Sequence, residues 1–574
     1  MNSKIIVFTT VFLIAVCEKS DIEISLTKSG SIWKGLEISS TIEAQGQKNV
    51  DLSKWSGYHQ KSMEERYEVL SDYLKSKVSQ RDLEMDSATA NEMIENCIGV
   101  LGLPIGIVPT LVMNNKHYVV PLATEEPSII AACSSICKLI SSSATHKGFV
   151  AVSTDKNVMI GQIQLLVQDP LETIPKVVHF IHDKRQEYVD TANAHFCESM
   201  HKRGGGVVDL VCKIIEPKAM TEKRSPYLCV HVYMDVCEAM GANAINHVCE
   251  NLSDLIFADL STTDFGSRVR VGIRILSNLS IYRRSKAAFR IPLRNLAWKG
   301  ADGKEVASKI LDAYHFACDD VFRACTHNKG VMNGIDSVCI ALGQDYRAIE
   351  ASAHAFASLK DRDRAYQPMT HYTIDEKTQE LVGELELPVA VGTKGGSLQT
   401  HPGYRFTHQL LGNPSAKTIG EILCCIGLAQ NFGALRALAT EGIQAGHMRL
   451  QARNIALAAK VPIPNLSSCV NFMISKNSFD TKTALEFLAQ KQSKHTPVAT
   501  TTTITTTTTT VCTPQHTNCL DKIDEIIFLA NSFFFLKKKK EQLNFLKYEA
   551  MQYVFVTIFL SKKKKENGNL ERFS

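Results

Sequence analysis

Hydrophobic positions along this chain recur at two spacings, and the two alternate. In residues 59–76 (HQKSMEERYEVLSDYLKS), Met63, Tyr67, Leu70 and Leu74 return close to every 3.6 residues, which predicts an amphipathic helix. In residues 227–234 (YLCVHVYM), β-forming side chains alternate with others, which predicts a strand. Residues 419–442 are rich in alanine and leucine and contain no proline, the pattern of a buried helix or a pair of them. Segments of both kinds, punctuated by glycine and proline, run from about residue 50 to 492. The fold class is therefore mixed α/β (α+β), and 574 residues predict two or three domains.

Both ends depart from this pattern. Residues 5–16 (IIVFTTVFLIAV) form an apolar run too short for an ordinary membrane-spanning helix, so residues 1–30 are a possible signal or anchor, or an artefact segment. After residue 495 come a nearly pure threonine run and two blocks of four lysines, Lys537 to Lys540 and Lys562 to Lys565. Homopolymers of this kind cannot specify a core, so 495–574 is expected to be a disordered tail. Those eight lysines exceed the net charge of +5, which leaves the rest near neutral and argues against nucleic acid as a partner. The 17 cysteines form no C-x-x-C pair, and many sit in apolar runs (Cys97, Cys133, Cys424). They read as reduced core thiols of a cytoplasmic protein, with no metal site.

Candidate chemistry is concentrated in a few places. The stretch 325–336 (CTHNKGVMNGID) sets Lys329 among two asparagines and two glycines, with Arg323 before it and Asn333 after. Taken alone, Lys329 suits a solvent-facing turn. If the apolar run from Val338 to Leu342 packs inside, Asp345 could return beside it, and a paired, charged lysine can stabilise a carbonyl oxyanion. Glu95, beside Ile94 and an apolar Gly/Pro loop, suits a helix-terminal carboxylate or a desolvated general acid. His447 opens a helical run and suits either a core histidine or a proton donor on a movable segment. Residues 235–246 (DVCEAMGANAIN) make a small-residue turn into a helix whose amides could approach a phosphate, although the pattern is not G-x-G-x-x-G. Residues 391–396 (VGTKGG) form a second glycine loop. Glu125-Glu126-Pro127 reads as a solvated turn.

These segments, in this order, resemble 3-hydroxy-3-methylglutaryl-coenzyme A (HMG-CoA) reductase, and more closely its class II branch. The resemblance is carried by ENCIG with LPIG (95–106), VPLATEEPSIIAA (120–132), EAMGANAIN (238–246), RILSNL (274–279), RACTHNKGVMNGID with GQD (323–345), GELELPVAVGTKGG (383–396) and LAQNFGALRALATEGIQAGHMRLQARNIA (428–456). It implies reduction of HMG-CoA to mevalonate and coenzyme A by two NADPH or NADH; the same fold run backwards would oxidise mevalonate, and a non-catalytic paralogue would only bind. It implies Glu95 as the acid on the carbonyl oxygen and Lys329 as the group that stabilises that oxygen. Asp345 would pair with both, and His447 would protonate the departing thiolate. Arg323, Asn333 and Asn278 would lie near the HMG group. Glu238, Met240, Gly241, Asn243, Gly392 and Gly395 would approach the dinucleotide. Two residues depart from the family pattern: Glu238 where aspartate is usual, and Gln344 where class II often has asparagine.

The architecture so implied is a large HMG-CoA-binding domain in two segments (40–120 and 278–440). A ferredoxin-like dinucleotide-binding domain is inserted at 121–277, and a C-terminal helical flap occupies 441–492. The resemblance further implies a homodimer or higher homo-oligomer with sites at the interface, and no multi-span membrane domain.

Overall fold

The computed structural model describes residues 52–142, 148–217, 224–359, 366–440 and 442–493; the run 5–16 and the tail from 495 onward lie outside them. The first α-helix, α1 (Met63–Leu74), lies inside the predicted 59–76 and starts four residues later. Ser62 and Glu65 form a capping box at its head, and Lys75 in the left-handed region ends it. Its inner face packs with Trp55, Val78, Val119 and Phe406. A short α2 (Ser87–Met93) follows, capped by Asp86. The chain then runs without regular structure to the hairpin of β1 (Ile105–Met113) and β2 (Lys116–Ala123). In that run Ile98 and Leu101 are 104% and 90% exposed, an unusual place for apolar side chains.

Beyond the hairpin lie α3 (Ile129–Ser141), β3 (Val150–Ser153), β4 (Val158–Val167), α4 (Pro170–Asp183), β5 (Gly206–Ile215) and β6 (Tyr227–Asp235). Next come α5 (Ala242–Ser261), β7 (Val269–Ser277), β8 (Arg284–Pro292), α6 (Gly303–Asp319), α7 (Val321–Ala341) and α8 (Tyr346–Leu359). Strands β9 (Thr370–Asp375) and β10 (Glu380–Pro388) precede α9 (Ala416–Ala439). The last helices are α10 (Ile443–Ala458), α11 (Leu466–Ser475) and α12 (Thr481–Ser493).

Two antiparallel four-stranded sheets organise these elements. One, in the order β3-β8-β10-β9, packs with α3, α7 and α9 around a large core that includes Leu122, Phe149, Phe289, Ile335 and Phe432. The other, in the order β5-β6-β4-β7, carries α4 and α5 over a separate core that includes Ile163, Val177, Val232 and Leu252. A β-α-β-β-α-β path with that strand order is the ferredoxin-like topology. It occupies 158–277. Residues 121–153, expected inside the insert, instead supply Leu122, Ile129, Cys133 and Phe149 to the larger core. The last three helices have a small core of their own, built on Ala452, Ala456, Cys469 and Met473.

Helix α9 is a single helix rather than a pair. It is the one helix among the described residues long and apolar enough to cross a membrane, and two thirds (67%) of its most apolar window is buried inside the fold. Its apolarity comes from being the central helix of the core. Helix α7 crosses it closely. A Cβ on Gly334 would stand 3.0 Å from both the Gln430 side chain and the Ile426 carbonyl oxygen. Gly330 and Gly334, which make 325–336 look like a turn, therefore lie inside a helix, and Gly334 is a contact glycine.

Candidate functional site

Helices α3, α7 and α9 line a cavity of about 600 Å³. Its floor is apolar (Ala132, Ile136, Ala434), and its polar groups are few and converge, as in a small-molecule site. Lys329, in the third turn of α7, reaches across to the loop between β2 and α3, where its Nζ stands 3.0 Å from Glu126 Oε2. That loop is held by the Glu126 amide donating to Thr124 Oγ1 and by Ser128 at φ +85°, which turns the chain into α3. Arg323 lies on the same side of α7, six residues before Lys329. Its guanidinium is half-buried and has no ion-pair partner among the described residues; burial lowers its pKa from the usual value. Asp320 caps the helix just beneath it, accepting from the Phe322 and Arg323 amides. Asn333 lines the same cavity one turn beyond Lys329.

Below the two cations is a buried polar network. His327 is 2% exposed; burial, reinforced by Arg323, drives its pKa down to about 3, so the ring is neutral. Its Nε2 meets Thr370 Oγ1 at 2.6 Å. Asn431 of α9 donates to the His327 carbonyl and accepts from Tyr372 Oη at 2.8 Å. This network fixes the face of α7 that presents Lys329.

The expected catalytic set is only partly brought together. Lys329, Arg323 and Asn333 share the cavity. Glu95 does not: it is exposed, in the turn after α2, and the carboxylate beside Lys329 is Glu126. Asp345 is also elsewhere. Helix α7 continues twelve residues beyond Lys329 to Ala341, about 18 Å of rise, before the chain turns through Gly343 to Asp345. There the Asp345 carboxylate accepts from the Ala348 amide at 3.1 Å and lies 3.5 Å from Arg347 Nε. A Lys329–Asp345 pair within one chain is thus ruled out by helix length. Asn278 is exposed just after β7 and is not among the cavity residues. His447 falls within α10, and its side chain lies outside the described residues.

The two glycine loops do meet. Ala239 and Lys394 form a parallel bridge, the Thr393 amide donates to the Glu238 carbonyl, and Gly392 packs so closely that a Cβ there would stand 2.5 Å from the Met240 amide. Gly241 at φ +109° opens α5, leaving the first amides of that helix, including Asn243, without intrahelical acceptors. These amides, with Lys394 alongside, suit a phosphate. Gly395, at φ +88°, has open space around it. Glu238 differs from expectation. Its carboxylate is already engaged, accepting from Thr393 Oγ1 and from the Ala416 amide at the head of α9, both at 2.8 Å. It is a strut between loop and helix. Arg283 was not anticipated at all. It is 3% exposed and donates to the Ala239, Met240 and Val391 carbonyls, bracing both loops from beneath.

A cavity with two cations and one carboxylate, in a chain that also carries a ferredoxin-like unit with paired glycine loops, suits an α/β oxidoreductase that takes an anionic substrate and a dinucleotide. The family model described as hydroxymethylglutaryl-coenzyme A reductase matches residues 62–452, and the chain belongs to that family. It is an NAD(P)H-dependent enzyme that reduces HMG-CoA to mevalonate. The chain is 37% identical over 453 residues to the 3-hydroxy-3-methylglutaryl-coenzyme A reductase of Archaeoglobus fulgidus, covering 77% of this chain and 95% of that one. It is 34% identical over 411 residues to the probable reductase of Borreliella burgdorferi, covering 71% and 87%. A solved reductase from Streptococcus pneumoniae superposes with a TM-score of 0.61 at 38% identity, covering 76% of this chain and 99% of that one. A class II reductase from the same organism, bound to NADPH in open conformations, superposes at 0.60 with 39% identity, covering 67% and 100%.

Proposed function

We propose that the groove between α3, α7 and α9 holds the HMG moiety beside Lys329 and its neighbour Glu126, and that Glu95, on the exposed run 94–105, serves as the acid in a site shared with a second copy. The observation that carries this is the 3.0 Å contact between Lys329 Nζ and Glu126 Oε2 inside the groove. Arg323, without an ion partner among the described residues, would take the free carboxylate of the substrate, while Lys329 meets the thioester carbonyl oxygen. The bound nicotinamide supplies the hydride. As charge develops on that oxygen, Lys329 stabilises it and Glu95 donates the proton. The C–S bond then breaks as the hydroxyl of the hemithioacetal returns its proton to Glu95, and the departing thiolate takes a proton from His447 on the C-terminal flap. The resulting aldehyde is reduced in a second round by a second reduced nicotinamide, with Glu95 again protonating the oxygen.

The dinucleotide would lie over the 238–241 turn and the 391–396 loop of the 158–277 insert, its phosphates at the head of α5. NADPH is the favoured donor. The basic run His201-Lys202-Arg203 ends beside this turn, where the Cys237 thiol donates to the Arg203 carbonyl, and positive charge there suits an extra phosphate. The enzyme would work as a homodimer or higher oligomer in the cytoplasm. Buried free thiols suit a reducing compartment. The exposed apolar run 94–105 and the distance between Lys329 and Asp345 both call for a second copy, whose Asp345 would complete the site.

The test is HMG-CoA-dependent oxidation of NADPH and NADH by the purified chain, with Lys329→Ala, Glu126→Gln and Glu95→Gln compared. Lys329→Ala and Glu95→Gln should each lose at least about a hundredfold in kcat, the scale of general acid catalysis, while Glu126→Gln should keep more activity than either. Full activity in Glu95→Gln would give the acid role to Glu126.

A further inference from the structure

Gln344 is held in an unusual way. It directly precedes Asp345 in the turn that ends α7, and only 9% of it is exposed. Its side-chain amide forms a paired clasp on one residue of the glycine loop. Nε2 donates to the Gly392 carbonyl at 2.9 Å, and Oε1 accepts from the Gly392 amide at 2.8 Å. Nε2 also donates to the Leu342 carbonyl at 3.1 Å. The Gln344 amide itself donates to the Cys339 carbonyl, which fixes the turn on its helix. On the far side of Gly392, the loop is pressed against the Met240 amide and braced through Val391 by Arg283. Three segments distant in sequence (239–241, 391–393 and 342–345) are therefore tied into one rigid assembly, with Gln344 as its connection to the carboxylate-bearing turn.

We propose that Gln344 is a positioning residue that sets the register between the dinucleotide loops and Asp345, and so between hydride donor and acceptor. The proposal rests on the reading that residues 238–241 and 391–396 receive the dinucleotide. Gln344 touches neither substrate nor cofactor; it acts through Gly392. A glutamine here also explains why this position tolerates departure from the asparagine frequent in class II. The longer side chain is the one that spans to both backbone groups of Gly392.

The test uses the full-length enzyme and Gln344→Met, which keeps side-chain volume but removes both polar atoms. The expected result is an NADPH Kd weakened about tenfold, the scale of losing a pair of neutral hydrogen bonds. HMG-CoA affinity should be unchanged, and the primary deuterium isotope effect with 4-deuterated NADPH should be larger, because a misaligned donor makes hydride transfer more rate-limiting. A change in HMG-CoA affinity equal to that for NADPH, with no change in isotope effect, would reduce Gln344 to general structural support and overturn the proposal. Amide hydrogen exchange separates the two ideas. If NADPH does not slow exchange at 239–244 and 391–396 in the wild-type enzyme, the loop reading fails and the proposal falls with it. If NADPH does slow it there, yet Gln344→Met leaves NADPH affinity and isotope effect unchanged, only the clasp is wrong. Should Gln344→Met be poorly folded, Gln344→Asn is the second variant. Its amide is one methylene short of Gly392, and the same split between NADPH and HMG-CoA is expected; wild-type values for both would overturn the proposal.

Discussion

At the scale of single residues, α7 and α8 carry a group the reaction does not use. Asp336 is packed against Glu350, and burial first, then that neighbouring carboxylate, pushes its pKa up to about 8 from the usual 3.8. Its Oδ1 is buried with no hydrogen-bond partner. His354 on α8 feels the same Glu350, and the Cys339 thiol is influenced by Asp336, Asp345 and Glu350 together. The folded chain therefore holds the Asp336 proton up to about pH 8, whereas the unfolded chain releases it near pH 4. Between those values the folded state binds more protons, so stability falls as pH rises. In Asp336→Asn, melting temperature measured from pH 5 to 8.5 should lose most of this downward slope; an unchanged slope would place its origin elsewhere. Lys329, Arg323 and Asn333 were legible as a group because they fall within one short polar motif, although that stretch read as a turn and not as a helix. Glu126 was not, since a Glu-Glu-Pro turn looks the same in sequence whether it faces water or the lysine of a helix two hundred residues away.

At the scale of elements, the contact between α7 and α9 carries the site, because it fixes the direction in which Lys329 points. Gly334 leaves no room for a side chain against Gln430 and Ile426, and Gly427 is similarly close to Ile335 and Leu385. Gly334→Leu should force the helices apart and cost about 1–3 kcal/mol of stability, as overpacking does. It should also lower kcat through displacement of Lys329. Chemical denaturation together with steady-state kinetics checks both; wild-type kinetics in a destabilised variant would show that the lysine is held by something other than this contact. The periodicity of α1 was plain in the sequence because it has one buried and one wetter face, and β6, buried on both faces, was plain from its run of β-forming side chains. Helix α7 was obscured because its two glycines, strong turn formers in isolation, lie here inside a helix, Gly334 as a contact surface.

At the scale of the whole molecule, one chain does not contain a complete site by this reading. If Asp345 comes from a second copy, Lys329→Ala and Asp345→Ala proteins should each be inactive alone but recover activity when unfolded and refolded together. Random pairing makes half the dimers mixed, each with one intact site, so about a quarter of wild-type activity is expected. No recovery, from material shown to be dimeric, would mean that both residues act in the same chain. The exposed run 94–105 gives a second check. Leu101→Asp should shift the protein toward monomer in sedimentation, since a charge buried in an apolar interface is costly.

The sequence alone determined the mixed α/β class, the family, and the grouping of Lys329, Arg323 and Asn333 in one motif. These follow from local periodicity and from the order of motifs along the chain, which need no distances. Tertiary structure alone decided that Glu126 meets Lys329, that Asp345 is a helix length away, that Glu238 is a strut, and that Arg283 and Gln344 bind the two glycine loops into one body. Each of these depends on which backbone and side-chain groups come within about 3 Å after folding, the hydrogen-bonding range, and residues that meet across the fold bear no spacing signal in the chain that joins them.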